Sequence, residues 1–507
     1  MAGSVQFAPA MPDIRAMLYL LSPNESSFEK VEEVPEYVHQ ANPFFIGLII
    51  LEMGVNMLLS ESPLYNICDG IISVSLGMIS RLPLLLIRGI ELSAYMYVWD
   101  HYRLLELPWD SAWTWRFTFL AVDFCYYWFH RFAHEVSVLW AAHQVHHSSE
   151  YFNFSTALRQ PLTQQLTSWI FYLPMALAVP PSVFAVHIQL NLLFQFWLHT
   201  EVVQDLGPLE WIFNTPKHHR VHHGRNEYCI DKNYGGILII WDRLFGTFAA
   251  EEDKVMYGLV FPVNTFEIIT SQFHYYLSLW RRASTYTSMK NKVLTFVNGP
   301  SWLPGKPRLG DHELVPKVTG EEVLHEPSCS LPLQVYVVTH FLLVLHTYHD
   351  LFENQAVLTQ VTILGMTAYI LLTLTCIGFI IDQRSLASFL EMLRCAAMVT
   401  MLRYNHLRLP YSSLAMPTEA LDALLCNTTV VRHDGIFFFK RPLPPSRCST
   451  GPCRSSLSCS PSRGSPTECG PADQTRPAHT VPPCSNTSHT HTHKRIDFFH
   501  FSFCFRF

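Results

Sequence analysis

Long apolar runs, most of them near the ~20 residues that an α-helix needs to cross a bilayer, recur along this chain at 43–59, 67–99, 111–129, 166–198, 331–345, 356–381 and, more weakly, 386–402. The first, PFFIGLIILEMGVNMLL, carries a single charge. The second is broken by Arg81, Pro83, Arg88 and Glu91 and reads either as one interrupted span or as a span followed by an interfacial helix. Within 166–198, LTSWIFYLPMALAVPPSVFAVHIQLNLLFQFWL, Pro180 and Pro181 are expected to turn a helical hairpin, because proline removes a backbone donor and clashes with the preceding turn. The pattern predicts an all-α, polytopic integral membrane protein with roughly seven to nine membrane helices.

Between 241 and about 330 charges, prolines and glycines return, and this stretch reads as a soluble loop region. After 439 the chain is rich in Pro, Ser, Thr and Cys with no apolar periodicity, and should not fold on its own. Its last residues, IDFFHFSFCFRF, are aromatic but too short to span, and the tail reads as appended or alternatively spliced. The expected organisation is an N-terminal extramembrane segment (1–42), N-terminal membrane helices (43–110), a catalytic region (111–250), a soluble loop region (251–330), C-terminal membrane helices (331–403), a C-terminal extramembrane segment (404–439) and a disordered tail (440–507).

Composition sharpens this picture. Apolar residues make up 49% and charged residues only 15%, which suits a membrane protein. The net charge of −6 carries no basic excess, so nucleic acid is excluded as a partner. The 13 cysteines fall into seven scattered singly between Cys68 and Cys426 and six crowded from Cys448 to Cys504. The first set has no CxxC pair, as expected of free thiols. MAGSVQFAPAMPDIRAMLYLLSPNESS lacks a basic stretch followed by a long apolar core, so no cleavable signal peptide is expected.

Eleven of the 26 histidines lie between His130 and His223, and they are arranged. HRFAH places His130 and His134 one helical turn apart; HQVHH holds His143, His146 and His147, and HRVHH repeats that spacing with His219, His222 and His223. Each group is expected to point its imidazoles in one direction. Around the third, Thr215 suits an N-cap, Pro216 the first helical position and Gly224 a left-handed terminating position, which predicts a two-turn helix. One histidine on an amphipathic helix is ordinarily a surface or hydrogen-bonded residue. Three groups at ligand spacing reverse that reading. Eight histidines overfill one centre, so two metals are expected. Imidazole suits zinc, copper, iron and nickel alike, but the absence of H-E-x-x-H and of a Cys pair argues for redox chemistry on an apolar substrate over a zinc protease.

Residues nearby are weaker candidates. His199, ending an apolar run, could join the same centre, whereas His187 is expected to face a helix neighbour. Glu135 and Asp123 each read either as a carboxylate orienting an imidazole or as an ordinary charge. His218 sits off the ligand face, and the HTHTHK run of the tail has no scaffold to orient it. Arg131, Arg159, Lys217, Arg220, Arg225, Lys232 and Arg243 favour a cytosolic position for the histidines, mainly as topology determinants, and some could hold an anionic headgroup.

The series HRFAH, HQVHH and HRVHH resembles the fatty acid hydroxylase superfamily of membrane di-iron oxygenases, which includes sterol desaturases and hydroxylases. The longer stretches WAAHQVHHSSEYFNFSTALRQ and LGPLEWIFNTPKHHRVHHGRNEYCIDKNYGGILIIWDRLFGTF are similar to its pterin-dependent, ether-cleaving branch. That resemblance implies a multi-pass enzyme of the endoplasmic reticulum membrane with a di-metal core at the cytosolic face. It would use O2, iron and tetrahydrobiopterin to hydroxylate the alkyl carbon beside the ether oxygen of glyceryl ethers drawn from the bilayer. His130, His134, His143, His146, His147, His219, His222 and His223 would be iron ligands, and Glu135 would be required beside them. His199 stands where the superfamily supplies a further ligand, while Gln195 occupies the place of a partner histidine in some members. The alternatives are a sterol or fatty-acyl hydroxylase or desaturase on the same scaffold, and a membrane metal carrier without catalysis.

Overall fold

The computed structural model describes residues 13–59, 66–85, 90–311, 315–320 and 322–403. The expectations for 404–439 and for the tail lie outside these residues. The described chain is helical, and its only strand-like pairings are isolated bridges, among them Gly224 with Tyr257. In chain order the main helices are α1 (Asn42–Leu59), α2 (Ile67–Arg81), α3 (Ile90–Tyr102), α4 (Ala112–Glu135), α5 (Ser137–His143), α6 (Pro181–Trp197), α7 (Pro216–His223), α8 (Ile240–Phe245), α9 (Ile268–Thr285), α10 (Met289–Val297), α11 (Leu331–Asn354), α12 (Gln360–Ile381) and α13 (Ala387–Arg403).

Among the described residues, three segments are long and apolar enough to cross a membrane: Val31–Asn56, Leu331–Asn354 and Gln360–Ile381. Of the expected seven to nine, three meet that criterion of length and apolar content among the described residues. Apolar content alone does not separate the cases, because some runs bury their apolar face against other helices. In α6, Val183, Phe184, Val186, Leu190, Leu193 and Phe196 are buried, while in α4 Arg116 and Asp123 interrupt the run and Trp113, Phe117 and Leu120 stay exposed. The hairpin expected in 166–198 is also corrected. Only its second half, α6, is an α-helix; the first half is a series of short 3-10 turns, Gln164–Leu166, Ser168–Phe171 and Leu173–Leu177. The carbonyls of Leu177 and Ala178 accept from the N–H groups of Leu104, Leu105 and Leu107, so cross-chain donors replace a helical ladder. The break in 67–99 falls at Pro83, within a short turn between α2 and α3.

The 251–330 region is not a loop throughout: it carries α9 and α10. Glu267 starts α9 by accepting from the backbone N–H of Ile269 and of Thr270, each at 2.7 Å. The helix was hidden because its polar face carries His274, Arg281 and Arg282, so a search for continuous apolar runs passes over it.

Two features tie the apolar framework to the histidines. Glu52, buried in α1, accepts from the Phe154 N–H at 2.7 Å and from the Thr200 hydroxyl at 2.5 Å, beside His199. Asp123, fully buried in α4, accepts from the N–H groups of Ile237 and Leu238 at 2.8 and 3.1 Å, from the Trp241 indole at 2.9 Å and from Asn191 at 3.1 Å. Gly236 permits this approach: a Cβ there would stand 2.9 Å from Asp123 Oδ1 and 2.8 Å from the Tyr126 ring.

Candidate metal centre

α4 carries His130 and His134 on one face, one turn apart, near its C-terminal end. His143 closes α5, and His146 and His147 lie in the 3-10 turn His146–Ser148, so the second box is not one continuous helix. α7 is the two-turn helix expected, with Pro216 at its first position. Thr215 precedes it in extended conformation, but its hydroxyl lies 3.3 Å from Glu210 Oε1 and 3.4 Å from His218 Nδ1 and does not cap the helix. Gly224 is extended (φ −73°, ψ 144°), not left-handed. Glycine is needed there for space, since a Cβ would lie 2.6 Å from Cys229 Sγ and 2.8 Å from Val255.

The fold gathers nine buried imidazoles into two groups, within each of which the candidate ligand atoms all lie within 4.8 Å of one another. The first is His130, His134, His143, His147 and His222; the second is His146, His199, His219 and His223. His199 therefore joins the set. The H-x-x-H-H boxes do not each point one way. Adjacent residues on a helix are about 100° apart, so His222 turns to the first group while His219 and His223, one turn apart, face the second. The second box divides likewise, His143 and His147 against His146. His147 and His223 stack at 4.3 Å where the two groups meet.

Hydrogen bonds fix the tautomers. Nδ1–H donates to a carbonyl oxygen from His130 (to Tyr234), His146 (to Arg159), His199 (to Gln195) and His222 (to Lys232), and from His143 to Gln164 Oε1, at 2.8 to 3.1 Å. Each of these rings then presents a lone pair on Nε2. Yet Nε2 faces Nε2 at 3.0 Å between His130 and His143, and at 3.2 Å between His146 and His199. Neither member of such a pair has a proton to share. Two lone pairs at this separation repel unless a cation lies between them, so the donor set fits a metal. Ligands bonded at about 2.1 Å would have nitrogens roughly 3.0 Å apart at right angles and roughly 3.4 Å at tetrahedral angles. The observed spacings of 3.0 and 3.2 Å fall within this range. Nε2 of His134, His222 and His223 is buried with no hydrogen-bond partner among the described residues, as expected of a ligand atom.

Burial disfavours the imidazolium form, pushing His143 and His199 down to about 4 and His222 to about 3. The rings are neutral at pH 7, the form that binds metal.

The carboxylates differ from expectation. Glu135 is buried and touches no imidazole; it pairs with Arg131 at 2.8 Å and with Arg308. Asp123 does not orient a histidine either; three of its four hydrogen bonds hold 237–241 and the fourth comes from Asn191, while Asp242 accepts from the N–H of Tyr234, whose carbonyl meets His130. The carboxylate that does approach a ligand is Asp231, whose Oδ1 is 3.8 Å from His134 Nδ1. Asp231 lies in no histidine box; in the structure both Asp231 and Asn233 of DKN stand at positive φ, the mark of a constrained turn. Gln195 serves His199 through its backbone carbonyl.

Three of the cations are internal. Arg159 pairs with Asp69 at 2.6 Å in the buried interior, Arg220 with Glu251 at 2.9 Å, and Arg225 is buried beside Glu150. For these the topology reading is corrected. His187 meets Tyr19, the helix-neighbour role expected of it, and His218 packs edge-on against Phe248, outside both groups. The described cysteines of the first set, Cys68 to Cys395, are free thiols.

A family model described as Fatty acid hydroxylase matches residues 115–247, enclosing all nine histidines, and one described as Alkylglycerol monooxygenase C-terminal domain matches 333–420. The alkylglycerol monooxygenase of Danio rerio is 59% identical over 406 residues, which cover 80% of this chain and 91% of the relative. The chain belongs to the alkylglycerol monooxygenase family. The alkylglycerol monooxygenases of Homo sapiens and Xenopus tropicalis are each 54% identical, over 81% and 78% of this chain and 92% and 88% of those proteins. The likeness to alkylglycerol monooxygenases thus extends well beyond the histidine boxes. No solved structure matches.

Proposed function

We propose that this protein is a glyceryl-ether monooxygenase, acting on alkylglycerols and lyso-alkylglycerophospholipids. The observation that carries the reading is the convergence of nine neutral, buried imidazoles on two points, in a chain 59% identical to an alkylglycerol monooxygenase. His130, His134, His143, His147 and His222 would hold one iron and His146, His199, His219 and His223 the other. Bound iron would supply O2 activation, with tetrahydrobiopterin as the two-electron donor. One oxygen atom enters the C–H bond next to the ether oxygen, and the other leaves as water after taking up two electrons and two protons. The resulting hemiacetal then breaks its C–O bond to give a fatty aldehyde and the glycerol derivative.

The chain's own part is positional. The oxygen acceptors on Nδ1 keep the rings in the tautomer that leaves Nε2 free, and low exposure keeps water from the lone pairs. Glu135 is a positioning residue: its ion pairs with Arg131 and Arg308 secure the end of α4 directly after His134. Residence in the endoplasmic reticulum membrane with the histidines on the cytosolic side is supported by the resemblance and by Lys217 and Lys232 near the site.

The test is release of fatty aldehyde from a labelled 1-O-alkylglycerol by the purified, iron-loaded protein. Aldehyde formed only with reduced pterin is the expected result. A hydroxylated acyl or sterol product with no aldehyde from the ether would instead support the sterol or fatty-acyl reading.

A further inference from the structure

Arg225 follows His223 by two residues and is 6% exposed. Its Nε and Nη2 are buried with no hydrogen-bond partner among the described residues. Those two N–H groups share one edge of the guanidinium and point in parallel, the fork with which arginine grips two oxygens at once. The third nitrogen, Nη1, lies 3.9 Å from Oε1 of Glu150. That oxygen is likewise buried without a hydrogen-bond partner among the described residues, while Oε2 of the same carboxylate accepts from the His325 N–H at 2.6 Å. Leaving buried polar groups unmatched is costly, and most so for charged ones. Two donors on one edge of Arg225 and an acceptor of Glu150 nearest its Nη1 are thus left unmatched within one residue pair, which points to a ligand that completes them.

The backbone around the pair is well fixed. Arg225 N–H donates to Met256 O at 2.8 Å, and Gly258, at φ 99°, lies against Glu150, where a Cβ would stand 3.1 Å from Glu150 Cγ. Tyr257 stacks at 5.0 Å on Phe152, whose ring lies 5.2 Å from His223 and 5.6 Å from His199. One aromatic layer thus connects this region to the second histidine group. Glu150, with Ser148, Tyr151 and His325, also bounds a small cavity of about 30 Å³, which Arg225 does not line and which has room for a group of hydroxyl size.

Charge selects the ligand. Arg225 and Glu150 together are neutral, so an anion in the fork would bring its charge against the carboxylate. A pair of neighbouring alcohol groups would not: their oxygens accept from Nε and Nη2, and one hydroxyl proton is donated to Glu150 Oε1. We propose that Arg225 and Glu150 form the subsite for the hydroxyl groups of the substrate's glycerol moiety. The inference rests on the glyceryl-ether reading above. An alkylglycerol presents both of its hydroxyls to the subsite, and a lyso-alkylglycerophospholipid presents the single free hydroxyl beside the ether carbon.

The full-length enzyme in detergent micelles is assayed with three ethers of one chain length: the 1-O-alkylglycerol, its lyso-phospholipid and an alkyl propyl ether lacking both hydroxyls. Wild type is expected to prefer the two hydroxyl-bearing ethers in kcat/KM by roughly 10- to 100-fold, the scale of hydrogen bonds to charged groups. Arg225→Gln removes the fork, and Arg225→Lys keeps the charge without it. Both should raise KM for the hydroxyl-bearing ethers until the preference approaches unity, with metal content per chain unchanged. Glu150→Gln, which keeps an acceptor oxygen, should reduce the preference only in part. A preference that survives both Arg225 variants overturns the proposal. So does an equal loss on all three ethers accompanied by loss of metal, which marks a structural role, or a loss confined to the lyso-phospholipid, which gives the fork to phosphate. Absence of aldehyde from every ether with the wild type would sink the glyceryl-ether reading instead. Thermal stabilisation by the alkylglycerol over the propyl ether, compared between wild type and Arg225→Lys, then decides the subsite without turnover, and equal shifts overturn it.

Discussion

Replacing His146 by Ala should remove one metal and spare the other. His146 belongs to the four-membered group with His199, His219 and His223, and is absent from the five-membered group. Its Nε2 lies 3.2 Å from His199 Nε2, and its Nδ1 donates to Arg159 O at 3.1 Å. Four-ligand sites bind with apparent free energies of roughly 10–16 kcal/mol, so one imidazole is worth about 2.5–4 kcal/mol. Deleting it should weaken that site about 10²- to 10³-fold. The chain itself loses little more than the hydrogen bond to Arg159, about 0.5–1.5 kcal/mol. Metal analysis of the purified full-length variant should therefore fall from two ions per chain to one, with the protein still inserted and aldehyde formation abolished. His143→Ala should empty the other group instead. Retention of two ions by His146→Ala, or loss of both together, would refute the division into two separate sites.

Three further outcomes follow from the structure. Asp123→Asn turns one acceptor oxygen into a donor facing the N–H groups of Ile237 and Leu238; it should cost about 2–4 kcal/mol, seen as a lower Tm with loss of metal, and an unchanged Tm would contradict the role given to Asp123. Burial pushes His187 down to about 3, so the unfolded chain takes up a proton near pH 6.5 that the folded chain refuses. Its stabilising effect is complete above pH 6.5 and is lost as pH falls toward 3, with a slope of about 1.4 kcal/mol per pH unit in between; His187→Gln should flatten the decline in thermal stability between pH 6 and 4, and parallel curves would rule this out. Gly224→Ala meets Cys229 and Val255 and should cost about 1–3 kcal/mol by overpacking, with partial recovery of Tm on adding Cys229→Ala; full tolerance of Gly224→Ala would show that the turn can relax.

Much of the site was legible because metal ligation requires particular residue types at helical spacing. His130 and His134 stand one turn apart, and boxes two and three repeat one spacing, so the ligand candidates, and their excess over what one centre can take, follow from local periodicity. The two-turn helix α7 with Pro216 at its start was legible for the same reason. The membrane span count was not, because an apolar run looks the same whether lipid or another helix covers it; α6 buries most of its run within the fold, whereas α4 leaves Trp113, Phe117 and Leu120 exposed.

By itself, then, the sequence determined the all-helical character, the eight box histidines and their helical spacing. Only the tertiary structure decided how those histidines divide, since each group draws its rings from segments remote in sequence that packing brings together. His199 entered the second group, Asp231 and not Asp123 came to a ligand, and Glu135 turned to Arg308, which is 173 residues away along the chain. Local periodicity sets the face on which a side chain stands. What meets that face is set by packing between segments remote in sequence, and no short-range pattern records it.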